Sequence, residues 1–180
     1  IYTSTYLLPA RKCPNEDSLR KCLYQYIKGP ISFRDDFFAY NFDLDKEYNK
    51  RVIHFPVAFV HPIDVLDVQN AIKCGTKLNN PIAARSGAHS YEGYGIGDKD
   101  FGTGNTLKSL YYEVNKYGFA SPGGICPYLG GMGFLYRKFG FSSDNILDAQ
   151  IVLANGTIVN NAKEYPELLW VIQGAGNAGY

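Results

Sequence analysis

The sequence lacks an excess of charge, a long apolar run and the closely spaced cysteines of a zinc site. Its 180 residues include 18 Lys and Arg and 17 Asp and Glu, a formal net charge of +1. A nucleic-acid partner normally requires a basic surplus, so this balance argues against one. No apolar run is long enough to be a membrane span. No C-x-x-C pair occurs, which argues against bound zinc.

The sequence has four cysteines and a single methionine. The cysteines are Cys13, Cys22, Cys74 and Cys126. They allow three full pairings, and the sequence alone does not choose among them. The methionine is Met132, so we expect a processed chain or a fragment. The first residues have no basic region and no small-residue cleavage pattern, so no signal peptide is expected there.

Apolar residues at helical spacing predict five helices. These helices cover about 17–27, 62–72, 106–116, 134–138 and 166–172. Pro62 is expected to open the second helix and Gly75 to lie just beyond its end. Residues 1–50 are expected to form a leader segment, in which 31–50 are irregular.

Short apolar runs predict strands at 52–56, 58–60 and 82–84. The dipeptide Asn155-Gly156 lies between two further apolar runs and is a strong signal for a type I′ hairpin. Strands and helices alternate, with glycines at the turns, which indicates an α/β or α+β domain. Because the hairpin requires some antiparallel pairing, the predicted fold class is α+β. Residues 51–180 are expected to form this domain.

Two glycine-containing turns carry the residues of greatest chemical interest. In Ala84-Arg85-Ser86-Gly87-Ala88-His89-Ser90-Tyr91-Glu92-Gly93, a predicted strand runs into a small-residue turn that carries His89. In Gly123-Gly124-Ile125-Cys126-Pro127, a second turn carries Cys126. Imidazole and thiolate are both nucleophiles, so the pair favours a large, anionic, electrophilic ligand. A flavin dinucleotide with two covalent links fits that description.

The first turn also has the composition of an anion-binding loop. Consecutive backbone N–H groups can face a pyrophosphate, and the donors are those of Ser86, Gly87, Ala88, Ser90 and Tyr91. Arg85 can supply positive charge. The structural interpretation is a tight turn between a strand and a loop.

Other candidate residues also have structural interpretations. His89 can be a turn histidine bonded to backbone, and Cys126 can be a buried thiol or half of a disulfide. Asp144 and Asn145 fit a capped turn as well as a cofactor-contacting edge. Asn155-Gly156-Thr157 is a formal N-glycosylation sequon, but a tight hairpin tip is expected to be a poor acceptor.

A serine hydrolase is the rival from another function class. The G-x-S-x-G pattern fails around Ser90, because Ala88 and Glu92 occupy the places of the two glycines. No histidine follows His89, so the order Ser, Asp, His is also missing.

Five motifs occur in one order: R-S-G-A-H-S-Y-E-G, G-N-T-L-K-S-L-Y-Y, G-G-I-C-P, R-K-F-G-F-S-S-D-N-I-L-D-A-Q-I-V-L-A-N-G and L-L-W-V-I-Q-G-A-G-N. Over roughly residues 50–180 the sequence resembles the berberine-bridge-enzyme-like flavoproteins, which have the vanillyl-alcohol-oxidase fold and include carbohydrate oxidases. The resemblance implies an FAD-binding domain of two small α/β subdomains. It also implies an FAD-dependent oxidoreductase that takes a hydride from a hydroxyl-bearing carbon of a sugar or alcohol, with oxygen as acceptor.

The resemblance assigns roles to individual residues. It implies that His89 is bonded to the flavin 8α-methyl group and Cys126 to flavin C6. The further cofactor-binding positions are Arg85, Ser86, Gly87, Ala88, Ser90, Tyr91, Gly124, Asp144 and Asn145. The family pairs a cysteine of the first helix with one before the histidine strand, and Cys22 and Cys74 match those places. Such a disulfide implies a secretory compartment.

The sequence also departs from the family pattern. Ala88 stands where the family has a second glycine. A strand pair after Asp100 and part of a loop after Pro127 are expected to be missing. The C-terminal half, which carries the substrate contacts and the catalytic base, is expected to be absent. The alternative function is therefore a non-catalytic fragment that does not retain FAD.

Overall fold

The computed structural model describes residues 15–52, 54–85, 88, 107–120, 122 and 133–174. Helices and short strands alternate within these ranges. In chain order they are α1 (Glu16–Tyr26), β1 (Ile31–Phe33), α2 (Phe37–Asp45), β2 (Ala58–Val60), α3 (Val65–Lys77), α4 (Leu107–Asn115), α5 (Tyr136–Phe139), β3 (Ile151–Val152), β4 (Ile158–Val159) and α6 (Pro166–Gly174). Two 3-10 turns, Ser143–Asn145 and Ala162–Glu164, complete the described elements. The α+β fold class is confirmed for the described residues.

The main core lies between α1, α3 and the antiparallel pair β1–β2. Ser32 of β1 pairs with Phe59 of β2, so the first part of the chain is hydrogen-bonded to the part that follows residue 50. The core side chains come from all four elements and from the chain just before β2. They are Leu19, Leu23, Ile27, Phe33, Val57, Ala58, Val60, Ala71 and Cys74.

A disulfide joins α1 to α3. Cys22 and Cys74 are bonded, with their Cα atoms 5.9 Å apart and a sequence separation of 52. This separation lies within the range that native disulfides adopt. The pairing that the family resemblance implied is therefore confirmed.

Buried Asp67 fixes the start of α3 against the end of α1. The Asp67 carboxylate accepts hydrogen bonds from the backbone N–H groups of Lys28 (2.9 Å), Gly29 (3.0 Å) and Ile63 (3.1 Å). A Cβ at Gly29 would lie 1.9 Å from the carbonyl oxygen of His61, so only glycine allows this close approach. Asp64 caps the helix by accepting from the backbone N–H of Asp67 at 2.8 Å.

Two predictions for residues 31–60 were wrong. Residues 31–50 are not irregular, since they contain β1 and α2. The α2 sequence, FFAYNFDLD, is apolar around most of its circumference, so it lacks the one-sided pattern by which helices are recognised. Its N-cap, Asp36, accepts from the backbone N–H of Ala39. An aspartate at this position was the signal from which the start of α2 could have been predicted. Residues 54–56 are not a strand, whereas 58–60 form β2 as predicted.

The Gly75 prediction was also wrong. α3 continues through Gly75 to Lys77, and Leu78 is the C-cap residue. A Cβ at Gly75 would lie 2.7 Å from the side chain of Ile82, so the glycine provides room for the segment that returns along the helix. That segment, 82–84, was predicted as a strand and does not form one in the structure.

The predicted hairpin is present, with a different turn. β3 and β4 pair antiparallel, and the N–H of Leu153 donates to the carbonyl of Thr157 at 2.9 Å. Gly156 has a φ of +80°, whereas Asn155 is not in the left-handed region. A type I′ turn needs positive φ at both residues, so the loop matches a type I turn followed by a glycine bulge.

The disulfide is expected to provide a large part of the stability of this region. We expect Cys22→Ser with Cys74→Ser to lower the free energy of unfolding by about 4 kcal/mol, because the bond closes a 52-residue loop in the unfolded chain. Urea unfolding measures the change. Cys13→Ser is the control, since it replaces a cysteine and leaves this disulfide in place. A double variant as stable as the parent chain would contradict the prediction.

Candidate functional site

The described residues flank the two predicted cofactor turns. Four predicted site residues are described: Arg85, Ala88, Asp144 and Asn145. The other seven lie outside the described residues: Ser86, Gly87, His89, Ser90, Tyr91, Gly124 and Cys126. The structure therefore describes the site through the residues that hold the two predicted turns in place.

The side chain of Arg85 is buried against α2 and β2. Its Nη1 donates to the backbone carbonyl of Asp43 at 2.8 Å, and Nη2 lies 3.8 Å from the Asp43 carboxylate. The guanidinium also lies over the ring of Phe59, 4.4 Å from its centroid. Burial lowers the Arg85 pKa, and the charges of Asp43 and Glu47 oppose that change. Because a guanidinium titrates far above neutral pH, Arg85 stays charged.

Asp43 is the acceptor at the centre of this cluster. Its carboxylate receives hydrogen bonds from Ser32 Oγ (2.7 Å), His61 Nε2 (2.7 Å) and Lys46 Nζ (2.8 Å). Burial by itself raises the Asp43 pKa, but the hydrogen bonds from His61, Lys46 and Ser32 outweigh it and hold the pKa well below its usual range. An ionised carboxylate carries no hydrogen, so Nε2 of His61 bears the proton in this contact.

A second anchor holds the residue directly before His89. The carbonyl of Ala88 accepts from the backbone N–H of Tyr48 at 2.9 Å, and Ala88 is buried. Its φ of +58° lies in the left-handed region, where glycine is favoured. Arg85 and Ala88 are thus both attached to residues 43–48, so the end of α2 fixes the backbone that leads to His89.

Asp144 and Asn145 hold a turn after α5. The Asp144 carboxylate accepts from the N–H of Phe141 at 2.7 Å. Asn145 Nδ2 donates to the carbonyls of Phe139 (2.9 Å) and Phe141 (2.8 Å). Within the described part of the chain, no hydrogen bond or ion pair joins these two residues to Arg85 or Ala88.

The turn after α5 also contacts Pro122, which lies just before the predicted turn that carries Cys126. Ser142 Oγ donates to the carbonyl of Pro122 at 2.6 Å. Pro122 directly precedes Gly123-Gly124, so this contact fixes one end of the segment that carries Cys126. Each predicted cofactor turn therefore has a described anchor, at Ala88 and at Pro122.

A small cavity lies at the C-terminal end of α2, where Leu44 and Asp45 form part of its lining. Its volume is about 120 Å³, and its lining includes Glu47, Lys50 and His54. Ligand pockets usually have volumes of about 300 Å³ or more, so this cavity is too small for a dinucleotide. Among the described residues, no group of three His, Cys, Asp or Glu side chains can hold a metal ion. No helix in the described ranges is long and apolar enough to cross a membrane.

Sequence analysis missed Asp43 and its partner His61. Asp43 lies in the segment that was expected to be irregular, and His61 follows β2 without a recognisable motif. The available signal was a carboxylate within a largely apolar helix, because a buried charge requires partners.

No family model matches the chain. Among curated proteins, it is similar to berberine bridge enzyme-like 18 of Arabidopsis thaliana, at 32% identity over 158 residues, which covers 69% of this chain and 30% of the relative. It is also similar to an FAD-linked oxidoreductase, dpmaF, of Metarhizium anisopliae, at 29% identity over 73% of this chain and 32% of the relative. The chain thus spans about a third of the length of these curated relatives.

Solved structures show the same relationship. Physcomitrella patens BBE-like 1 matches 90% of this chain and 42% of its own, with a TM-score of 0.77 and 33% identity. The chain belongs to the berberine bridge enzyme-like family. Carbohydrate oxidase from Microdochium nivale also matches, with a TM-score of 0.74 and 27% identity over 88% of this chain and 40% of its own. The relatives of this berberine bridge enzyme-like chain are therefore oxidoreductases.

The Asp43 carboxylate is expected to make stability depend on pH. Its pKa is lower in the folded chain than the value of about 3.9 in unfolded chains, so its contribution is complete above that value and is lost as the pH falls through the folded pKa. We expect Asp43→Asn to destabilise the chain by about 3 kcal/mol at neutral pH, since buried Arg85 loses its counter-charge. The difference should shrink below about pH 4.

Urea unfolding over a pH series measures this difference. Asp45→Asn is the matched control, because the Asp45 side chain is 89% exposed and pairs with Lys50 on the surface. We expect it to change stability by less than about 1 kcal/mol. An Asp43→Asn deficit that stays constant into acid would contradict the assignment.

The left-handed backbone at Ala88 makes this position sensitive to branching at Cβ. A left-handed residue with a Cβ costs about 1–2 kcal/mol, and glycine avoids that cost but loses more entropy on folding. We therefore expect Ala88→Gly to lie within about 1 kcal/mol of the parent and Ala88→Val to cost about 2 kcal/mol or more. Thermal unfolding tests this, with exposed Ala84→Val as control. Equal stability of the two valine variants would argue against the Ala88 geometry.

Proposed function

We propose that this chain is the FAD-binding part of an oxidoreductase that oxidises a hydroxyl group of a small molecule, a sugar or an alcohol. The observation that carries the proposal is the match to Physcomitrella patens BBE-like 1 over 90% of the chain. The match to a carbohydrate oxidase supports a sugar as the substrate class. FAD would accept the hydride from the substrate and pass its electrons to oxygen.

His89 and Cys126 are the proposed covalent attachment points for the flavin. Support comes from the described residues beside them. Ala88 holds its carbonyl on Tyr48, and Pro122 holds its carbonyl on Ser142, so each nucleophile follows closely after a fixed backbone position. A fixed approach lowers the entropic cost of bringing a nucleophile to its target.

The pyrophosphate of FAD is proposed to bind the N–H groups of the first turn, and Gly124 is a further proposed cofactor-binding position. These groups belong to Ser86, Gly87, Ala88, Ser90 and Tyr91. The positive φ of Ala88 supports this, since the anion-binding concavities that successive backbone N–H groups form contain a left-handed residue.

Arg85 and Asp43 are proposed to act as positioning residues for this turn. The Arg85 guanidinium lies 2.8 Å from the Asp43 carbonyl, so its charge is directed at the end of α2. Arg85 then contributes to cofactor binding by holding the backbone. Asp144 and Asn145 are proposed to act in the same way on the second turn, through the segment that bonds Pro122.

The alternative is a chain that does not retain FAD by itself. It is favoured by the short extent of the match, about a third of the length of the curated relatives. The proposed compartment is secretory in either case, because the Cys22–Cys74 disulfide requires an oxidising environment.

Flavin that stays with the denatured protein is the decisive test. If the protein that contains this chain binds FAD, we expect it to remain yellow after denaturation, because the bonds to His89 and Cys126 are covalent. His89→Ala and Cys126→Ala should each leave one link, and the double variant should release all flavin. Absorbance after acid precipitation and mass spectrometry of the two peptides measure this.

Two controls separate the possible failures. Cys13→Ala removes a cysteine outside the proposed link and should keep the full flavin content. Protein that is yellow when native, with both peptides unmodified, would refute covalent attachment while leaving FAD binding intact. Colourless native protein would favour the alternative.

A further inference from the structure

The tip of the β3–β4 hairpin has one buried residue between two exposed ones. Gly156 is buried on α3, where its carbonyl accepts from Gln69 Nε2 at 2.6 Å. A Cβ at Gly156 would lie 3.1 Å from the side chain of Lys73, so the tip is packed closely on the helix through its glycine. Asn155 and Thr157, on either side, are exposed. The two functional residues of the sequon are therefore accessible to solvent.

The asparagine side chain at this tip has its amide nitrogen available. Asn155 Oδ1 accepts from the backbone N–H of Thr157 at 2.8 Å, which fixes the side chain toward the threonine. Asn155 Nδ2 makes no hydrogen bond with the described residues. The turn that the structure shows is the wider one with a glycine bulge, so the reason for expecting a poor acceptor no longer applies.

The chain also carries a marker of the compartment in which such a site is used. Cys22 and Cys74 form a disulfide, and disulfides persist in the secretory pathway, where N-glycosylation also takes place. Asn155-Gly156-Thr157 is the single N-x-S/T sequence in the 180 residues, so any N-linked glycan on this chain has one possible position.

We propose that Asn155 is an N-glycosylation site. Nδ2 of Asn155 attacks C1 of the first sugar of a lipid-linked oligosaccharyl diphosphate. The Nδ2–C1 bond forms, the bond from C1 to the diphosphate oxygen breaks, and the lipid diphosphate leaves. One proton is lost from Nδ2, and nothing is oxidised or reduced. The glycan projects from the tip while Gly156 stays bound to α3, so the folded hairpin accommodates it.

The test is peptide mapping of the full chain expressed behind a secretory signal sequence in a eukaryotic host. The peptide that contains Asn155 is analysed before and after a peptide:N-glycosidase in heavy-oxygen water, which converts a glycosylated asparagine to labelled aspartate. Asn155→Gln and Thr157→Ala remove the sequon, whereas Thr157→Ser keeps it. The same digest reports whether Cys22 and Cys74 are linked.

We expect labelled aspartate at position 155 in the parent and in Thr157→Ser, and complete loss of the glycan in Asn155→Gln and Thr157→Ala. Unmodified Asn155 in protein with the Cys22–Cys74 bond formed would overturn the proposal, because that protein has passed through the compartment. Unmodified Asn155 with reduced cysteines would overturn it as well, since the compartment is inferred from the disulfide. Neither result depends on whether the chain binds FAD.

Discussion

The buried carboxylate of Asp43 connects the core of this chain to its candidate site. It accepts from Ser32 on β1 and from His61 after β2, so it holds the strand pair against α2. The carbonyl of the same residue binds Arg85, three positions before Ala88. A single buried negative charge surrounded by donors is stable only while all of them stay in place. The backbone that leads into the first predicted cofactor turn therefore depends on a residue more than 40 positions earlier.

Asp67 shows how differently a second buried carboxylate behaves in the same domain. Its acceptors are filled by backbone N–H groups, those of Lys28, Gly29 and Ile63. The Asp43 carboxylate instead accepts from three side chains, those of Ser32, His61 and Lys46, and these hydrogen bonds hold its pKa below the usual range. Asp67 thus acts as a fixed joint between α1 and α3, next to the Cys22–Cys74 disulfide. Asp43 instead couples the strand pair and the Arg85 segment to pH.

The sequence predicted those parts of the fold that local patterns control. α1, α4 and α6 follow apolar periodicity, β2 follows a short apolar run, and the hairpin follows Asn155-Gly156. α2 was missed because a helix that is apolar on most sides has no distinctive period. Gly75 was misplaced because its role is to make room for Ile82, a contact that only the tertiary structure creates. The pairing of Cys22 with Cys74 came from the family resemblance, since residue spacing left three pairings open.

The candidate site likewise contains motif residues, which the sequence predicted, and supporting residues, which it did not. The motif residues around His89 and Cys126 are visible in the sequence because glycines and a nucleophile stand together. The residues that hold these turns are ordinary in sequence: a backbone N–H at Tyr48 and a hydroxyl at Ser142. A backbone donor leaves no mark on residue identity, so no pattern search finds it. Relatives can therefore share the motif while differing at the scaffold, and a comparison restricted to motif residues would miss differences in how firmly each chain holds its cofactor turns.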